Sequence, residues 1–264
     1  MYKWNGFADR SFSPAVGCSN VGCTEREVCR ARHFAKRQKP QVREFCERDD
    51  DGGLTGRSTE YCRGCQECFD FEVHDHWERW DQFRAKEGER VAFGDMGDLF
   101  NPVREDRTIL RHFKKMCDQV ERFVSVLKPR FLIQTRHMAR AVDAINNWLR
   151  WEFCEFGTTL SSAADLENVK ALAELPENVL RFIAFEPCEW ILEHFHEPEV
   201  WDAIVNAQPN WCYVGFRNSH KKNWAEYQRQ SLLSELKRCF DSHCKVIWKP
   251  NTGLAHLNEG VTLP

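Results

Sequence analysis

The chain lacks the features that mark several large classes of protein. Its longest apolar runs have the length of a strand, so a membrane-spanning helix is not expected. No apolar segment of the kind found in secretory signal peptides follows Met1. The 37 lysine and arginine residues nearly balance the 40 aspartate and glutamate residues, so no global positive field attracts nucleic acid or anionic lipid. These absences predict a cytoplasmic protein that does not contact a membrane.

The sequence also contains no glycine-rich dinucleotide fingerprint after any predicted strand, and no internal repeat. What it does contain, in 264 residues, is 13 cysteines. Disulfides are disfavoured in a reducing cytosol, where clustered thiols more often bind metal. Seven cysteines lie between residues 18 and 68, whereas the other six are spread through apolar surroundings and are interpreted as core residues.

The first cysteine group is Cys18, Cys23 and Cys29, in a C-x4-C-x5-C run with a glycine before each of the first two cysteines. Three thiolates on one loop suit a four-iron cluster that leaves one iron open to a small chelating molecule. In radical enzymes that molecule is S-adenosylmethionine, or SAM.

The second cysteine group is Cys62, Cys65 and Cys68, with Cys46 upstream as a fourth ligand. The C-x2-C-x2-C spacing is typical of ferredoxin-type clusters, and the four thiolates would equally close a structural zinc site. The group falls within a polar, glycine-bearing segment, residues 38–70, which is interpreted as a cysteine-rich insertion in a single domain of residues 1–264.

Beyond residue 88 the chain alternates short apolar runs with amphipathic stretches, a pattern that predicts parallel strands with connecting helices. The predicted strands are 90–93, 130–135, 153–159, 179–185, 211–216 and 245–249, and one more is expected near the amino terminus. The predicted helices are 107–127, 137–151, 162–175, 197–206 and 225–240. We expect an α/β fold forming a partial or complete parallel (β/α) barrel.

Polar residues follow the predicted strands, and in a parallel barrel the carboxyl ends of the strands carry the chemistry. The proposed catalytic residues are Asp98, Glu186 and Lys249. The residues proposed to bind the cofactor are Gly94, Asp95, Asp98, Gln134, Thr135, Glu186 and Arg217. Several charged groups meeting at one barrel mouth would form a binding site.

Two further patterns have both a functional and a structural interpretation. The segment 26–43 is a basic helix, either solvated or in contact with the phosphates of a nucleic acid. Histidines 74 and 76, like 194 and 196, form H-x-H pairs, which place both rings on one face of a strand. Such a pair suits either metal binding or a surface or hydrogen-bonding role.

Several stretches resemble a family of phage-encoded, radical-SAM-like proteins with a three-cysteine motif. These stretches are residues 13–18, 29–37, 71–74, 90–100 and 181–187, together with Lys249. The most specific is Arg-Val-Ala-Phe-Gly-Asp-Met-Gly-Asp-Leu-Phe at 90–100. The family is of unknown function and is often encoded beside a three-Cys-motif partner protein. Here an arginine follows the third cysteine, where the family usually has an aromatic residue.

The resemblance implies a barrel of radical-SAM type with a [4Fe–4S] cluster on Cys18, Cys23 and Cys29, and SAM bound beside it. A second cluster or zinc at Cys46, Cys62, Cys65 and Cys68 is inferred from spacing alone, and Cys62, Cys65 and Cys68 are a competing assignment for the SAM cluster. The expected function is SAM cleavage that starts radical chemistry on an unidentified substrate, such as a nucleotide or nucleic acid. The alternative is a non-catalytic, zinc- or iron–sulfur-stabilised protein that binds a partner protein or DNA.

Overall fold

The structure is a computed structural model that describes residues 8–18, 71–94, 97–185, 194, 197–215, 230, 234 and 244–249. The chain divides into two compact units. The first unit comprises residues 9–133, and the second comprises residues 1–8 and 134–264.

The first unit contains a parallel sheet and a small antiparallel pair. Its strands are β1 (Arg10–Phe12), β2 (Ala15–Val16), β3 (His74–Asp75), β4 (Arg90–Phe93) and all but the last residue of β5 (Arg130–Gln134). β4 lies between β1 and β5, and both pairings are parallel. β2 pairs with β3 in the antiparallel direction, so that the end of the amino-terminal segment lies against the segment that follows residue 70.

Aromatic side chains form the core of the first unit. The Phe12 ring stacks on Phe83 at a centroid distance of 4.0 Å and meets the edge of Trp80 at 4.7 Å. Trp80, Phe93 and Phe131 are all buried in the same cluster. Because a buried aromatic residue removes a large apolar area from water, this cluster is a main source of the unit's stability.

Two helices accompany this sheet, α1 (Glu78–Gln82) and α2 (Asp106–Val120). The buried residues of α2 recur at helical spacing and are Ile109, His112, Phe113, Met116, Cys117, Gln119 and Val120. The sequence predicted this helix to continue to residue 127, but Val124 and Val126 are fully exposed. Their β-branched side chains disfavour a helix that gains no burial, and Pro129 disfavours helical backbone just before it.

The second unit contains a four-stranded parallel sheet with helices between the strands. Its strands are β6 (Cys154–Leu160), β7 (Leu180–Phe185), β8 (Trp211–Val214) and β9 (Lys245–Trp248), and they lie in that order. The helices are α3 (Met138–Asn147), α4 (Ala163–Leu172) and α5 (Pro198–Ala207). All seven residues of β6 are buried, as expected for a strand covered on both faces.

The prediction of an α/β fold with parallel strands is confirmed, and every strand predicted from residue 90 onward is present within a residue or two of its predicted bounds. Of the six isolated cysteines, Cys117, Cys154 and Cys212 are buried and Cys244 is half-buried. No helix in the described ranges has the length and apolar character needed to cross a membrane. The helix at 225–240 and the insertion at 38–70 lie outside the described residues, and the single-domain organisation stays a prediction.

Candidate functional site

The segments that follow β1 and β4 run beside each other at the carboxyl ends of these strands. The Gly94 amide donates to the Phe12 carbonyl over 3.1 Å, and Gly17 forms a parallel bridge with Gly97. Cys18 and Asp98 come directly after the two bridged glycines. The first cysteine of the C-x4-C-x5-C run is therefore placed next to the polar segment after β4, as parallel strands with functional loops at one edge require.

Two glycines allow three stretches of backbone to pass unusually close together here. A Cβ atom at Gly17 would lie 1.7 Å from the Glu72 carbonyl oxygen, and one at Gly97 would lie 2.7 Å from the Val16 carbonyl carbon. Gly17 also has φ +84°, which side-chain-bearing residues rarely adopt. Gly17 therefore permits close packing of its backbone against the segment before β3.

Cys18 is held at both its backbone and its sulfur. Its amide donates to the Phe71 carbonyl over 3.3 Å, and the Asn101 side-chain amide lies 3.9 Å from its Sγ atom. The side chain is half-buried. An amide N–H directed at a cysteine sulfur is a contact that suits a metal-bound thiolate, because hydrogen bonds to sulfur stabilise its negative charge.

Asp98 organises the loop that carries Asn101. Its carboxylate accepts the Phe100 amide over 3.0 Å, and its carbonyl accepts the Asn101 amide over 3.3 Å. The Asn101 side chain in turn accepts the Val103 amide over 3.1 Å. The predicted site residue Asp98 therefore has a local structural role in this loop.

The buried Arg104 fastens this loop to the β2–β3 pair. Its guanidinium binds the Asp75 carboxylate and also donates to the carbonyls of Val16 and His74 over 2.9 and 3.0 Å. Its Nε donates to the Asp98 carbonyl over 3.3 Å. One side chain thus joins β2, β3 and the segment after β4, and it fixes the position from which Cys18 extends.

His112 completes the surroundings of Asp75. Its Nε2 donates to Asp75 over 2.9 Å, while its Nδ1 accepts from the Trp80 indole over 3.0 Å. An indole N–H can only donate, so this contact fixes the neutral tautomer of His112. Complete burial lowers the pKa of His112 despite the hydrogen bond to Asp75. Burial of Asp75 acts to raise its pKa, but the hydrogen bond from His112 and the charge of Arg104 outweigh it and lower the pKa.

The side chains of His74 and His76 meet inside the first unit. Their Nε2 atoms are 3.0 Å apart, and both residues are buried. His74 Nδ1 contacts the Glu72 carbonyl and His76 Nδ1 contacts the Glu78 carboxylate, each over 2.8 Å. The rings of this H-x-H pair therefore face each other.

The predicted residues Gln134 and Thr135 lie at the edge of the second unit. The Gln134 side-chain amide donates to the Thr159 hydroxyl over 2.5 Å, and the Thr135 amide donates to the Gly157 carbonyl over 2.9 Å. The Thr135 hydroxyl is buried and accepts the His137 amide over 3.0 Å. Gln134 offers a polar group at the carboxyl end of β6, whereas the Thr135 hydroxyl is bound to the backbone of His137, which directly precedes helix α3.

Lys249 follows β9 in the second unit. Its ammonium lies 4.5 Å from the centre of the Tyr213 ring, a cation–π contact. Its aliphatic stem crosses Gly215, where an added Cβ would lie 1.8 Å from the lysine Cδ. These contacts place the Lys249 ammonium group at the carboxyl ends of β8 and β9.

A polar cluster that the sequence did not predict lies at the start of α4. The buried Asp165 carboxylate accepts the Ser161 amide and hydroxyl over 3.0 and 2.7 Å, and the Ser162 hydroxyl over 3.0 Å. Arg136 pairs with the same carboxylate at 3.1 Å. The signal for this cluster is the Ser-Ser-x-x-Asp spacing, which is typical of a helix start.

Many of the predicted site residues lie outside the described residues. These are Cys23, Cys29, Cys46, Cys62, Cys65, Cys68, Asp95, Glu186 and Arg217, together with the basic segment 26–43. Among the residues that the structure describes, no group of three or more histidine, cysteine, aspartate and glutamate side chains is placed to hold a metal ion. No family model, no curated protein and no solved structure matches the chain.

Proposed function

We propose that the protein is a radical-SAM-type iron–sulfur enzyme, which cleaves SAM to start radical chemistry on a substrate such as a nucleotide or nucleic acid. The observation that supports this most is the position of Cys18. It follows the first strand of a parallel sheet and lies beside the Gly-x-x-Gly-Asp segment after the neighbouring strand. In this proposal the parallel strands belong to a partial (β/α) barrel of radical-SAM type, and residues 38–70 are an insertion in it.

In this proposal Cys18, Cys23 and Cys29 hold a [4Fe–4S] cluster, with a second cluster or zinc on Cys46, Cys62, Cys65 and Cys68. The local chemistry fits a metal-bound thiolate at Cys18, because Asn101 directs an amide at its sulfur. Bound there, a three-thiolate cluster would supply the electron that cleaves SAM. Asn101 and the Gly17–Gly97 bridge hold the thiol in place.

The remaining predicted residues are assigned to binding and orientation. Asp98 and Glu186 would hydrogen-bond the SAM amine or ribose, and Gly94 and Asp95 would bind the cofactor beside Asp98 at the carboxyl end of β4. Gln134, Thr135, Arg217 and Lys249 would orient the SAM carboxylate or the substrate. The basic segment 26–43 would contact substrate phosphates, and a three-Cys-motif protein would be a partner.

The first experiment measures iron, acid-labile sulfide and zinc per chain in protein purified without oxygen. Roughly four irons with matching sulfide indicate one cluster and roughly eight indicate two. Stoichiometric zinc without sulfide, persisting after attempted cluster reconstitution, would overturn the proposal. It would instead favour a non-catalytic, zinc-stabilised protein that binds a partner protein or DNA.

The second experiment assays the formation of 5′-deoxyadenosine from SAM under reducing conditions. Cys18→Ala should abolish it, whereas Cys117→Ala, which removes a buried thiol from α2 of the same unit, should retain it. Asp98→Asn keeps an oxygen for the Phe100 amide but removes the charge, so SAM affinity should fall about tenfold with the fold intact. Undiminished SAM cleavage by Cys18→Ala would refute the assignment.

A further inference from the structure

The His74–His76 pair has an arrangement that two neutral histidines alone do not explain. The Glu72 carbonyl can only accept a hydrogen bond, so the His74 Nδ1 that contacts it carries the proton. The ionised Glu78 carboxylate also only accepts, so the His76 Nδ1 carries a proton as well. When both rings are neutral, each therefore presents an unprotonated Nε2.

These two Nε2 atoms lie 3.0 Å apart in a buried location, with His76 fully inaccessible and His74 only 4% exposed. Two nitrogen lone pairs directed at each other repel, and the low dielectric of the interior strengthens that repulsion. Two kinds of cation remove the conflict: a proton, which turns the contact into an N–H···N hydrogen bond, or a metal ion, which both lone pairs then ligate.

The distances fit a first-row divalent metal ion. Zinc–nitrogen bonds of about 2.0–2.1 Å place two imidazole nitrogens about 3.3 Å apart in tetrahedral geometry and about 2.9 Å apart at a right angle. The observed 3.0 Å lies between these values. Imidazole is a ligand that suits zinc, cobalt, nickel and copper, whereas magnesium and calcium prefer oxygen.

The outer contacts also match those of metal-binding histidines. Such histidines almost always donate the other ring N–H to a backbone carbonyl or a carboxylate, which fixes the tautomer and aims the ring. His74 uses the Glu72 carbonyl for this purpose, and His76 uses the Glu78 carboxylate. The β2–β3 pairing and the Arg104 contact to the His74 carbonyl hold the backbone of the pair rigid.

We propose that His74 and His76 bind a divalent first-row transition ion, of which Zn²⁺ is the representative, at a site separate from the cysteine-bound metal. The two Nε2 atoms supply two coordination positions, and the others are left to further ligands. The site does not depend on the radical-SAM proposal, since the hydrogen-bond partners described for its two ligands are Glu72, Glu78 and each other.

The test is a Co²⁺ titration of the full chain and its variants under anaerobic conditions at pH 8. Cobalt bound by thiolate gives a sulfur-to-metal charge-transfer band, which cobalt bound by imidazole lacks. His76→Gln should bind one equivalent of cobalt fewer per chain than the wild type, with the charge-transfer band unchanged. His194→Gln removes a histidine from the other H-x-H pair, at a half-exposed position, and should bind as much cobalt as the wild type.

A second variant keeps the test decisive if His76→Gln fails to fold. Glu78→Gln retains both ligands and removes only the charge that orients His76, so the dissociation constant for this equivalent should rise about tenfold or more. Equal cobalt binding by the wild type and His76→Gln would overturn the proposal, as would an unchanged affinity in Glu78→Gln. A charge-transfer band or iron content that falls with His76→Gln would overturn the separate site by assigning the histidine to the cysteine-bound metal.

Discussion

Replacing Arg104 by methionine tests whether one buried guanidinium holds the loop after β4 against the β2–β3 pair. Methionine has similar length and no charge, so it fills much of the same space. The change leaves the Asp75 carboxylate without its arginine, and it leaves the carbonyls of Val16 and His74 without a donor from that side chain. His112 remains as a hydrogen-bond partner of Asp75.

The expected cost is about 4 kcal/mol. Breaking a buried ion pair by removing one partner costs about 3–5 kcal/mol, because an uncompensated charge stays behind. The side chain of Arg104 is 1% exposed and that of Asp75 is 12% exposed, so both groups are largely desolvated. Each carbonyl left without a donor costs a further ~1–3 kcal/mol, but these costs overlap and water entering beside Asp75 offsets part of them.

Hydrogen exchange read by mass spectrometry measures this effect where it arises. Peptides covering 8–18 and 71–80 should lose protection by about a thousandfold, since 1.4 kcal/mol corresponds to a factor of ten. Adding Asp75→Asn to Arg104→Met should restore part of the protection, because no buried charge then remains. Arg107→Met is the matched control, since Arg107 and its partner Glu105 are each 61% exposed and the change should stay within about 0.5 kcal/mol.

The reasoning is refuted if Arg104→Met costs less than about 1 kcal/mol, or if the added Asp75→Asn makes the protein less stable still. The first result would mean that the guanidinium contributes no more than its methylene groups. The second would mean that the Asp75 charge is stabilised mainly by His112.

Three further predictions concern the glycine contact, the buried histidine and the buried thiols. Gly97→Ala should destabilise the first unit by at least about 1–3 kcal/mol, because its Cβ would overlap backbone, and a lowered melting temperature would show this. The pKa of His112 is lowered by folding, so the unfolded chain takes up this proton at a higher pH than the folded chain does. The free energy of unfolding should therefore fall as the pH drops below 6.5, the pKa of an ordinary histidine. The lowered pKa of Asp75 should cause a further loss of stability below pH 3.8. Denaturant titrations at pH 5 and pH 7 measure this change in the free energy of unfolding. A His112→Gln chain that loses as much stability between the two pH values as the wild type would contradict the prediction. Burial and the neighbouring Cys244 thiol, 3.4 Å away, raise the pKa of Cys212. Iodoacetamide at pH 8 should therefore label Cys244 at least about tenfold faster than Cys212. Equal labelling of the two cysteines in mass spectra would refute this prediction.

The strands from residue 90 onward could be predicted because each is an apolar run that the sheet buries. β4 and β7 contain three or more consecutive apolar residues, and their predicted bounds agree with the structure. β2 and β3 could not be predicted in the same way. Each has two residues, and β3 consists of His74 and Asp75, which have no strand pattern of their own. Their pairing depends on long-range contacts with Arg104, which no local pattern encodes.

The candidate site was predictable only in part for a similar reason. The Gly-Asp segment after β4 was identified because functional residues follow parallel strands. His112 was missed although it lies on the apolar face of α2 between Ile109 and Phe113, and a histidine at that spacing is a detectable signal for a buried partner. Asn101 was missed because its contact with Cys18 joins positions 83 residues apart in sequence. The H-x-H pair was noticed, but the spacing did not indicate that its rings would face each other.

The hydrogen bond between the Cys18 amide and the Phe71 carbonyl joins two backbone positions that are far apart in sequence. The entropic cost of holding two such positions together grows slowly with the number of residues between them, by only about 0.6 kcal/mol for each doubling. The contact between Cys18 and Phe71 therefore sets little thermodynamic limit on how many residues separate the two positions, and chains that differ in this number can share the same pairing of β2 with β3.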